Sequence, residues 1–361
     1  MRHLVIIGGG IAGLTVALRR SRLGDRVTLY EASERLGGQL HTERRDGFLI
    51  EHGAEGFVAG STAVAALAQA LGIRDQLLDQ RVSESCHFDG QRLIVLEPGQ
   101  AGRLLGFQVA ARAFGKGIQS FAGGMSQVVT ALATELVAHA ECVRHAPVTN
   151  LVRAGSAWDV IAANGATVRA SDVIVATGSA AAARLLTPEF GANAAALNAS
   201  EAVSSVTVSL AYPRESVHHA LNATGFVVAE AAQSEGLRAC TFASSKLAGR
   251  SPEQSALLRV FFRPTPPELA ELSDDDWSKR AARAVGRAIP IEGAPSQSWV
   301  ARWGAALPVF DAAHRERVTA LERTLNGTGV WLCGAAFHGS GIDGAVRSAE
   351  SVTAALAALP V

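Results

Sequence analysis

The stretch His3-Leu4-Val5-Ile6-Ile7-Gly8-Gly9-Gly10-Ile11-Ala12-Gly13 decides the fold. Its apolar run is short, unbroken and ended by glycines, the pattern of a strand buried on both faces. The glycines fall in the order G-x-G-x-x-G and lead into a helix expected from about Ile11 to Leu23, with Leu14, Ala17 and Leu18 on its apolar side. The three glycines differ in what they allow. Gly8 permits the tight strand-to-helix turn, Gly10 lets backbone approach a pyrophosphate, and Gly13 lets the helix pack closely on the strand. The helix start also offers unpaired N–H groups and the positive end of a dipole to phosphates. Gly24-Asp25 ends the helix. Arg26-Val27-Thr28-Leu29-Tyr30 is a second strand, and Glu31 follows it, 18 residues after Gly13; a carboxylate there accepts hydrogen bonds from ribose hydroxyls. The fold class expected is therefore α/β, with a Rossmann-like, mostly parallel sheet built on this β-α-β unit.

Outward from this unit, residues 62–72 read as a helix stopped by Gly72, and 86–96 as a hairpin turning at Asp89-Gly90. A glycine-punctuated stretch, 98–124, precedes a helix over 125–139. Strands are expected at 148–153, 157–163, 166–169 and 173–176, and the strands of a second sheet at 204–211, 225–229, 239–244 and 256–262. A helix over 274–288 carries Trp277, Ala281 and Val285 on one side, a buried strand covers 329–333, and 343–358 closes the chain as a helix. No linker or repeat separates these elements. The organisation expected is two interleaved domains: residues 1–80, 121–200 and 318–361 bind the cofactor, and residues 81–120 and 201–317 form a reduced substrate domain on a mixed β-sheet.

Composition narrows the function classes. The chain has 33 basic and 33 acidic residues among 361, so nothing in its net charge argues for nucleic acid or an anionic membrane. No apolar stretch is long enough for a membrane span. Cys86, Cys142, Cys240 and Cys333 are far apart and show no metal-ligand spacing. They read as reduced thiols of a cytoplasmic protein. His218-His219 reads as a loop pair, and no metal site is expected.

Two further motifs carry chemistry. Glu31-Ala32-Ser33-Glu34-Arg35-Leu36-Gly37-Gly38-Gln39 places a double glycine after the acidic residue. Gly334-Ala335-Ala336-Phe337-His338-Gly339-Ser340-Gly341-Ile342-Asp343-Gly344-Ala345 joins a buried strand to the final helix. It is a second glycine-rich helix start, suited to an electron-rich, partly anionic group. The first of these resembles the E-x-x-x-R-x-G-G-[RK] signature of the FAD-dependent amine oxidase superfamily. The stretch Asp46 to Phe57 continues that resemblance. Four further stretches are similar to protoporphyrinogen oxidases, in the bacterial branch that includes coproporphyrinogen oxidases: Phe121-Ala122-Gly123-Gly124-Met125; Cys240 to Lys246 with Gly249 to Glu253 and Leu257 to Phe261; Arg302-Trp303-Gly304-Ala305-Ala306-Leu307-Pro308 with His314 and Arg317-Val318; and the turn from Phe337 to Asp343. The resemblance leaves out 98–118, where family members insert a mostly helical substrate and membrane-binding domain. Only about two dozen residues separate the hairpin from Phe121, so the lid over the substrate is missing or minimal here.

The resemblance implies non-covalent FAD. The contacts it implies are Gly8, Gly10, Ile11, Ala12, Gly13, Glu31, Ala32, Arg35, Gly37, Gly38, Gln39, Gly53, Ala54, Glu55, Val148, Thr177, Gly334, Ala335, Gly341, Ile342 and Ala345. Gln39 stands where many members carry Arg or Lys, and Ala335 where many carry Asp or Asn. Those two charge or side-chain contacts are lost. The N–H at Ile342 faces the pyrimidine edge of the flavin in the resembling family and stabilises charge that develops on reduction. Because the flavin performs the chemistry, accepting hydride and passing electrons to O2, no side-chain triad is expected. Three residues are candidates beside the reacting centre. His338 either serves as a proton shuttle facing substrate or caps its turn. Trp303 and Phe57 either wall the pocket or belong to the core. Lys246 invites comparison with the water-binding lysine of amine oxidases, although exposure rules place it in solvent. Arg302 suits either a substrate carboxylate or a structural ion pair. The function expected is an FAD-dependent oxidation similar to that of protoporphyrinogen oxidase. The alternatives are a specialised amine or dihydro-heterocycle oxidase and a non-catalytic flavin-binding partner subunit. A small-molecule substrate and O2 are the partners expected, with a homodimer or a partner chain covering the flavin face.

Overall fold

A computed structural model of the chain describes residues 2–105 and 117–359. Part of the 98–124 stretch therefore lies outside the described residues. The expected parallel sheet is present, with strands β1 (His3–Ile7), β2 (Arg26–Tyr30), β10 (Glu141–Val143), β14 (Asp172–Val175) and β20 (Val330–Leu332) in the order β10-β2-β1-β14-β20. Every pairing in it is parallel. Alternation along β1 explains its unbroken apolar sequence. Leu4 and Ile6 enter a core with helices α1 (Ile11–Arg22), α2 (Thr62–Ala70), α4 (Ser126–Leu136) and α10 (Gly341–Ala358). Val5 and Ile7 enter a second core on the opposite face, formed with α5 (Ser179–Ala195), α9 (Ala312–Leu325) and a small antiparallel sheet. That sheet consists of β11 (Val148–Ala154), β12 (Ala157–Ala162) and β13 (Thr167–Ala170). A strand covered on both sides must be apolar on both.

The second sheet is mixed. Its order is β19 (Gln297–Pro308), β15 (Ala202–Pro213), β18 (Ser255–Phe262), β17 (Leu237–Phe242), β16 (Gly225–Val228), β7 (Ser85–Phe88) and β8 (Leu93–Leu96). All its pairings are antiparallel except β16 with β7. One face packs Val206, Val208, Leu258, Val260 and Phe262 on Trp277, Ala281 and Val285 of α8 (Asp274–Gly286). The opposite face carries Thr207 and Arg259, both buried, toward the backbone of His52. Short helices α3 (Gln100–Leu104), α6 (Ala243–Lys246) and α7 (Pro266–Glu271) complete the described elements with two small pairings. These are the hairpin β3 (Thr42–Arg45)–β4 (Phe48–Glu51) and the sheet of β5 (Phe57–Val58), β9 (Ile118–Phe121) and β6 (Leu77–Asp79).

The mixed α/β architecture expected is thus the one observed, with local differences. The last helix begins at Gly341 rather than 343, because the glycines form its first turn instead of preceding it. The expected domain boundary at 317/318 falls inside α9. Its Val318, Leu321 and Leu325 pack in the core beside the parallel sheet, so the helix goes whole with that sheet. No helix among the described residues is long and apolar enough to cross a membrane.

Candidate functional site

Three helices start at the carboxyl ends of parallel strands: α1 after β1, α5 after β14 and α10 after β20. Their N-cap residues are Gly10, Gly178 and Ser340, and none supplies a capping side chain. By contrast, α2, α7, α8 and α9 are each capped by a side-chain oxygen from Ser61, Thr265, Ser273 and Asp311. An uncapped start leaves N–H groups without a side-chain acceptor; α1 and α5 also lack an acidic residue in the first turn, whereas α10 carries Asp343 there. In parallel sheets, ligands bind outside the carboxyl ends of the strands. These three starts therefore define one anion-seeking edge.

The glycine motifs meet on it. Gly37 N–H donates to Gly9 O at 2.7 Å, and Gly10 and Gly37 bridge like parallel strands. A Cβ on Gly334 would lie 3.3 Å from Ala12 Cβ, so the last motif touches the first helix. Thr177 lies beside Gly8, with Cγ2 3.4 Å from where a Gly8 Cβ would be. Ile11, Ala12, Ile342 and Ala345 are buried together in the core beneath this edge, Gly13 is buried within α1, and Gly341 at the start of α10 is exposed. Val148 is half-buried at the start of β11, against the other core. Glu31 is already engaged: Oε2 accepts from Gly9 N–H at 2.7 Å, and Oε1 accepts from Ser33 N–H at 2.8 Å and Ser33 Oγ at 2.7 Å. A carboxylate has about four acceptor sites, which leaves one for a ribose hydroxyl. Ala32 is exposed beside it. Arg35 donates to carbonyl oxygens of its own turn, Gly38 O at 2.6 Å and Leu40 O at 3.3 Å. It thereby draws those carbonyls inward and shapes the double-glycine turn.

A second group of residues adjoins this edge. A Cβ on Gly53 would fall 1.7 Å from Gln39 O and 3.3 Å from Trp303 Cζ2, so only glycine fits between them. Ala54 N–H donates to Gln39 O at 3.1 Å, and the Gln39 amide reaches Ala306 O. Trp303 Nε1 donates to His52 O at 2.8 Å, and Arg35 lies over its ring at 5.9 Å. His41 and His52 stack at 4.6 Å, and His52 Nε2 is 2.8 Å from Glu43. Burial, reinforced by the Arg35 and His52 charges, pushes His41 down to about 4, so the ring is neutral at physiological pH. Beneath this loop lies a buried charge cluster. Glu55 pairs with Lys246 and faces Arg259, whose guanidinium donates to the carbonyls of His52 and Gly53. Burial opposes ionisation of Glu55, but Lys246 and Arg259 outweigh it and hold the carboxyl below its ordinary value.

Several expectations change here. Lys246 is not solvent-facing; its side chain is 11% exposed because the Glu55 carboxylate draws it inward. Phe57 sits in the core against Phe121 at 6.1 Å, not on the pocket wall, since β5 pairs with β9 and turns it inward. His338 does not face the Trp303 group with a free nitrogen. Nδ1 is 2.7 Å from Ser348 Oγ and Nε2 is 2.6 Å from Glu322, because the turn before α10 packs toward α9. Arg302 takes the structural alternative, with Asp274 Oδ1 and Leu272 O as partners. Strand alternation puts it on the opposite face of β19 from Trp303. Trp303 alone of the three catalytic candidates meets the His52–Ala54 loop. Replacing Trp303 with Ala removes its hydrogen bond and an aromatic wall, and a fall in kcat/KM of about tenfold is expected, with Trp303→Phe falling less. Steady-state kinetics on the three proteins checks this. Arg259 is the residue the sequence did not single out; its signal is a charge inside the otherwise apolar run Leu257 to Phe262. Among the described residues, no group of three or more His, Cys, Asp or Glu side chains is placed to hold a metal.

Comparison with known proteins agrees with this geometry. The family described as flavin containing amine oxidoreductase matches residues 11–103 and 102–357. The break falls within the 98–118 stretch that the resemblance left out. A coproporphyrinogen III oxidase of Propionibacterium freudenreichii subsp. freudenreichii is 26% identical over 499 positions, covering 99% of this chain and 92% of that protein. The coproporphyrinogen III oxidase of Bacillus subtilis (strain 168) is 24% identical over 460 positions, covering 97% of each. Both alignments are longer than the 361-residue chain, so both relatives carry residues without a counterpart here. A solved protein of Exiguobacterium sp. 255-15, provisionally named a protoporphyrinogen oxidase, shares the fold with a TM-score of 0.84 at 21% identity, over 98% of each chain.

Proposed function

Since this chain belongs to the flavin containing amine oxidoreductase family, as a protoporphyrinogen oxidase-like oxidoreductase, we propose that it binds FAD non-covalently and oxidises a tetrapyrrole-type porphyrinogen with O2 as acceptor. The observation that carries FAD is the meeting of the Gly8–Gly13 turn, the Arg35–Gln39 turn and the Gly334 turn along three uncapped helix starts. The residues fit the group. The space above Gly10 is open, with no atom within 4 Å of where its Cβ would be. Backbone N–H groups there suit a pyrophosphate, and Glu31 keeps an acceptor site for a ribose.

Bound there, the flavin would take a hydride from the substrate and pass electrons to the acceptor. The protein's part is orientation and electrostatics. The N–H groups at the start of α10, including Ile342, would favour negative charge on a flavin held there. Trp303 fixes His52 O, and Arg259 fixes the carbonyls of His52 and Gly53. The His52–Gly53 loop is thereby held in one conformation. Neutral His41, beside His52 and Glu43, is a proton acceptor near that loop.

A second reading is favoured by one observation: the residues that both coproporphyrinogen III oxidases carry have no counterpart here. Less chain to enclose a large macrocycle favours a smaller amine or dihydro-heterocycle. Anaerobic mixing of the yellow protein with reduced coproporphyrinogen or protoporphyrinogen decides between them. Bleaching of the flavin absorbance within the mixing time, with recovery in air, is the result expected. Bleaching by amines alone establishes the second reading. A protein that dithionite reduces but neither substrate bleaches is left as the non-catalytic partner subunit. Release of intact FAD by acid precipitation tests the non-covalent attachment.

A further inference from the structure

His338 was a candidate for catalysis, yet the structure spends both its nitrogens on protein groups. Its ring joins Glu322 to Ser348, and the buried Ser348 hydroxyl also lies 3.8 Å from Cys333 Sγ. In the tautomer with the proton on Nε2, the ring donates to Oε1 of Glu322, half-exposed on α9, at 2.6 Å. Nδ1 is then an acceptor and takes the Ser348 hydroxyl proton at 2.7 Å. With its proton committed, Ser348 Oγ presents lone pairs to the Gly334 N–H, which it accepts at 2.8 Å. Ser348 is 3% exposed, so no water completes this chain in its place.

The end of the chain is the turn that matters for the cofactor. Gly334 has φ +109°, a conformation that only glycine adopts without strain, and it leans on Ala12 of the first glycine motif. It thus sets the distance between the starts of α1 and α10. We propose that His338 is a positioning residue: through Ser348 it locks the Gly334 turn and so the relative placement of the two helix starts that grip the FAD. This rests on the FAD reading above. Without the ring, the Ser348 hydroxyl is left with Cys333 Sγ, 3.8 Å away, or the carbonyl one helical turn back as its acceptor. Rotating toward it withdraws the acceptor from the buried Gly334 N–H. Flavin grip loosens while the chemical step is untouched.

Three variants separate this role from others, because they keep different halves of the imidazole. His338→Asn keeps an acceptor at the Nδ1 position. His338→Gln keeps a donor at the Nε2 position. His338→Ala keeps neither. The measurements are FAD Kd by fluorescence titration, melting of the flavin-free protein, and turnover per bound flavin across pH. His338→Ala and His338→Gln are expected to raise the FAD Kd about tenfold, the effect of one buried hydrogen bond, and His338→Asn to restore it to within about threefold of wild type. Turnover per bound flavin keeps the wild-type pH profile in all three. Equal FAD Kd values in all four proteins would overturn the proposal. So would a lost limb of the pH profile in His338→Asn, which would make the ring a proton carrier. Loss of FAD only in step with a lower melting temperature of the flavin-free protein would reduce the residue to fold support. A wild-type protein that binds no flavin refutes the FAD reading itself and is distinguished from these at the first titration.

Discussion

A Gly10→Ala protein is expected to fold like the wild type and to lose its flavin. Gly10 has φ −70° and ψ 174°, which any residue adopts, and no atom lies within 4 Å of where its Cβ would stand. Nothing in the fold asks for glycine there. The one thing a methyl group obstructs is an approaching ligand, which on the proposed reading is the pyrophosphate of FAD. Losing two or more charge-assisted hydrogen bonds of the pyrophosphate amounts to about 3 kcal/mol or more, so the FAD Kd should rise by about 100-fold or more. Gly13→Ala is the contrast. Its Cβ would meet Gly8 O at 2.0 Å, inside the fold itself. That variant should melt lower even without flavin, by about 1–3 kcal/mol of overpacking, and lose FAD as well. Melting curves of the flavin-free proteins, set beside FAD titrations, check both. A Gly10→Ala protein that purifies yellow with an unchanged Kd would remove the pyrophosphate from this turn.

The same contrast explains what the sequence made legible. Gly8, Gly10, Gly13 and Glu31 stand at fixed offsets within one β-α-β unit, so a local reading finds them. The strand β1 was legible for the same reason, since burial on two faces leaves an uninterrupted apolar run. Helices α5 and α9 did not stand out. α5 is rich in alanine, with Pro188 inside it and a kink at Gly191, which blurs its periodicity. α9 alternates charges around a narrow stripe of Val318, Leu321 and Leu325. The roles of His338, Lys246 and Arg259 were illegible for a different reason. Each is decided by a partner far away in sequence: Glu322 and Ser348 for His338, Glu55 for Lys246, and the carbonyls of His52 and Gly53 for Arg259. A motif can name a residue type at a position, but tertiary pairing decides whether that side chain faces the ligand or supports the loop that does.

Glu55→Gln should be the most destabilising of the single charge changes near the site, and its cost should depend on pH in a stated direction. The carboxylate is paired with Lys246 and faces Arg259, with side-chain exposures of 17%, 11% and 4%. Removing it leaves buried Lys246 without its partner and Arg259 with Glu51 alone of its two carboxylates, which costs about 3–5 kcal/mol. The His52–Gly53 loop then loses its support, because Arg259 also holds the His52 and Gly53 carbonyls. The folded-state carboxyl lies below its ordinary value: burial opposes this, and the Lys246 and Arg259 charges prevail. A depressed carboxyl contributes stability that is fully present above the unfolded value of about 4.3 and is lost as pH falls through the folded value. The melting-temperature gap between wild type and Glu55→Gln should therefore be full at neutral pH and close in acid. Glu51 supplies a control of opposite sign. Burial raises its carboxyl, against the opposing donors Met125 N–H and Thr42 Oγ1 and the charges of Arg250 and Arg259. Its ionisation thus costs stability as pH rises, and Glu51→Gln should gain on wild type toward neutral pH. Melting series of the three proteins from acid to neutral pH read both trends. A Glu55→Gln gap that stays constant with pH would mean that the carboxylate charge does not hold this cluster together, and that the loop beside the flavin is set by packing alone.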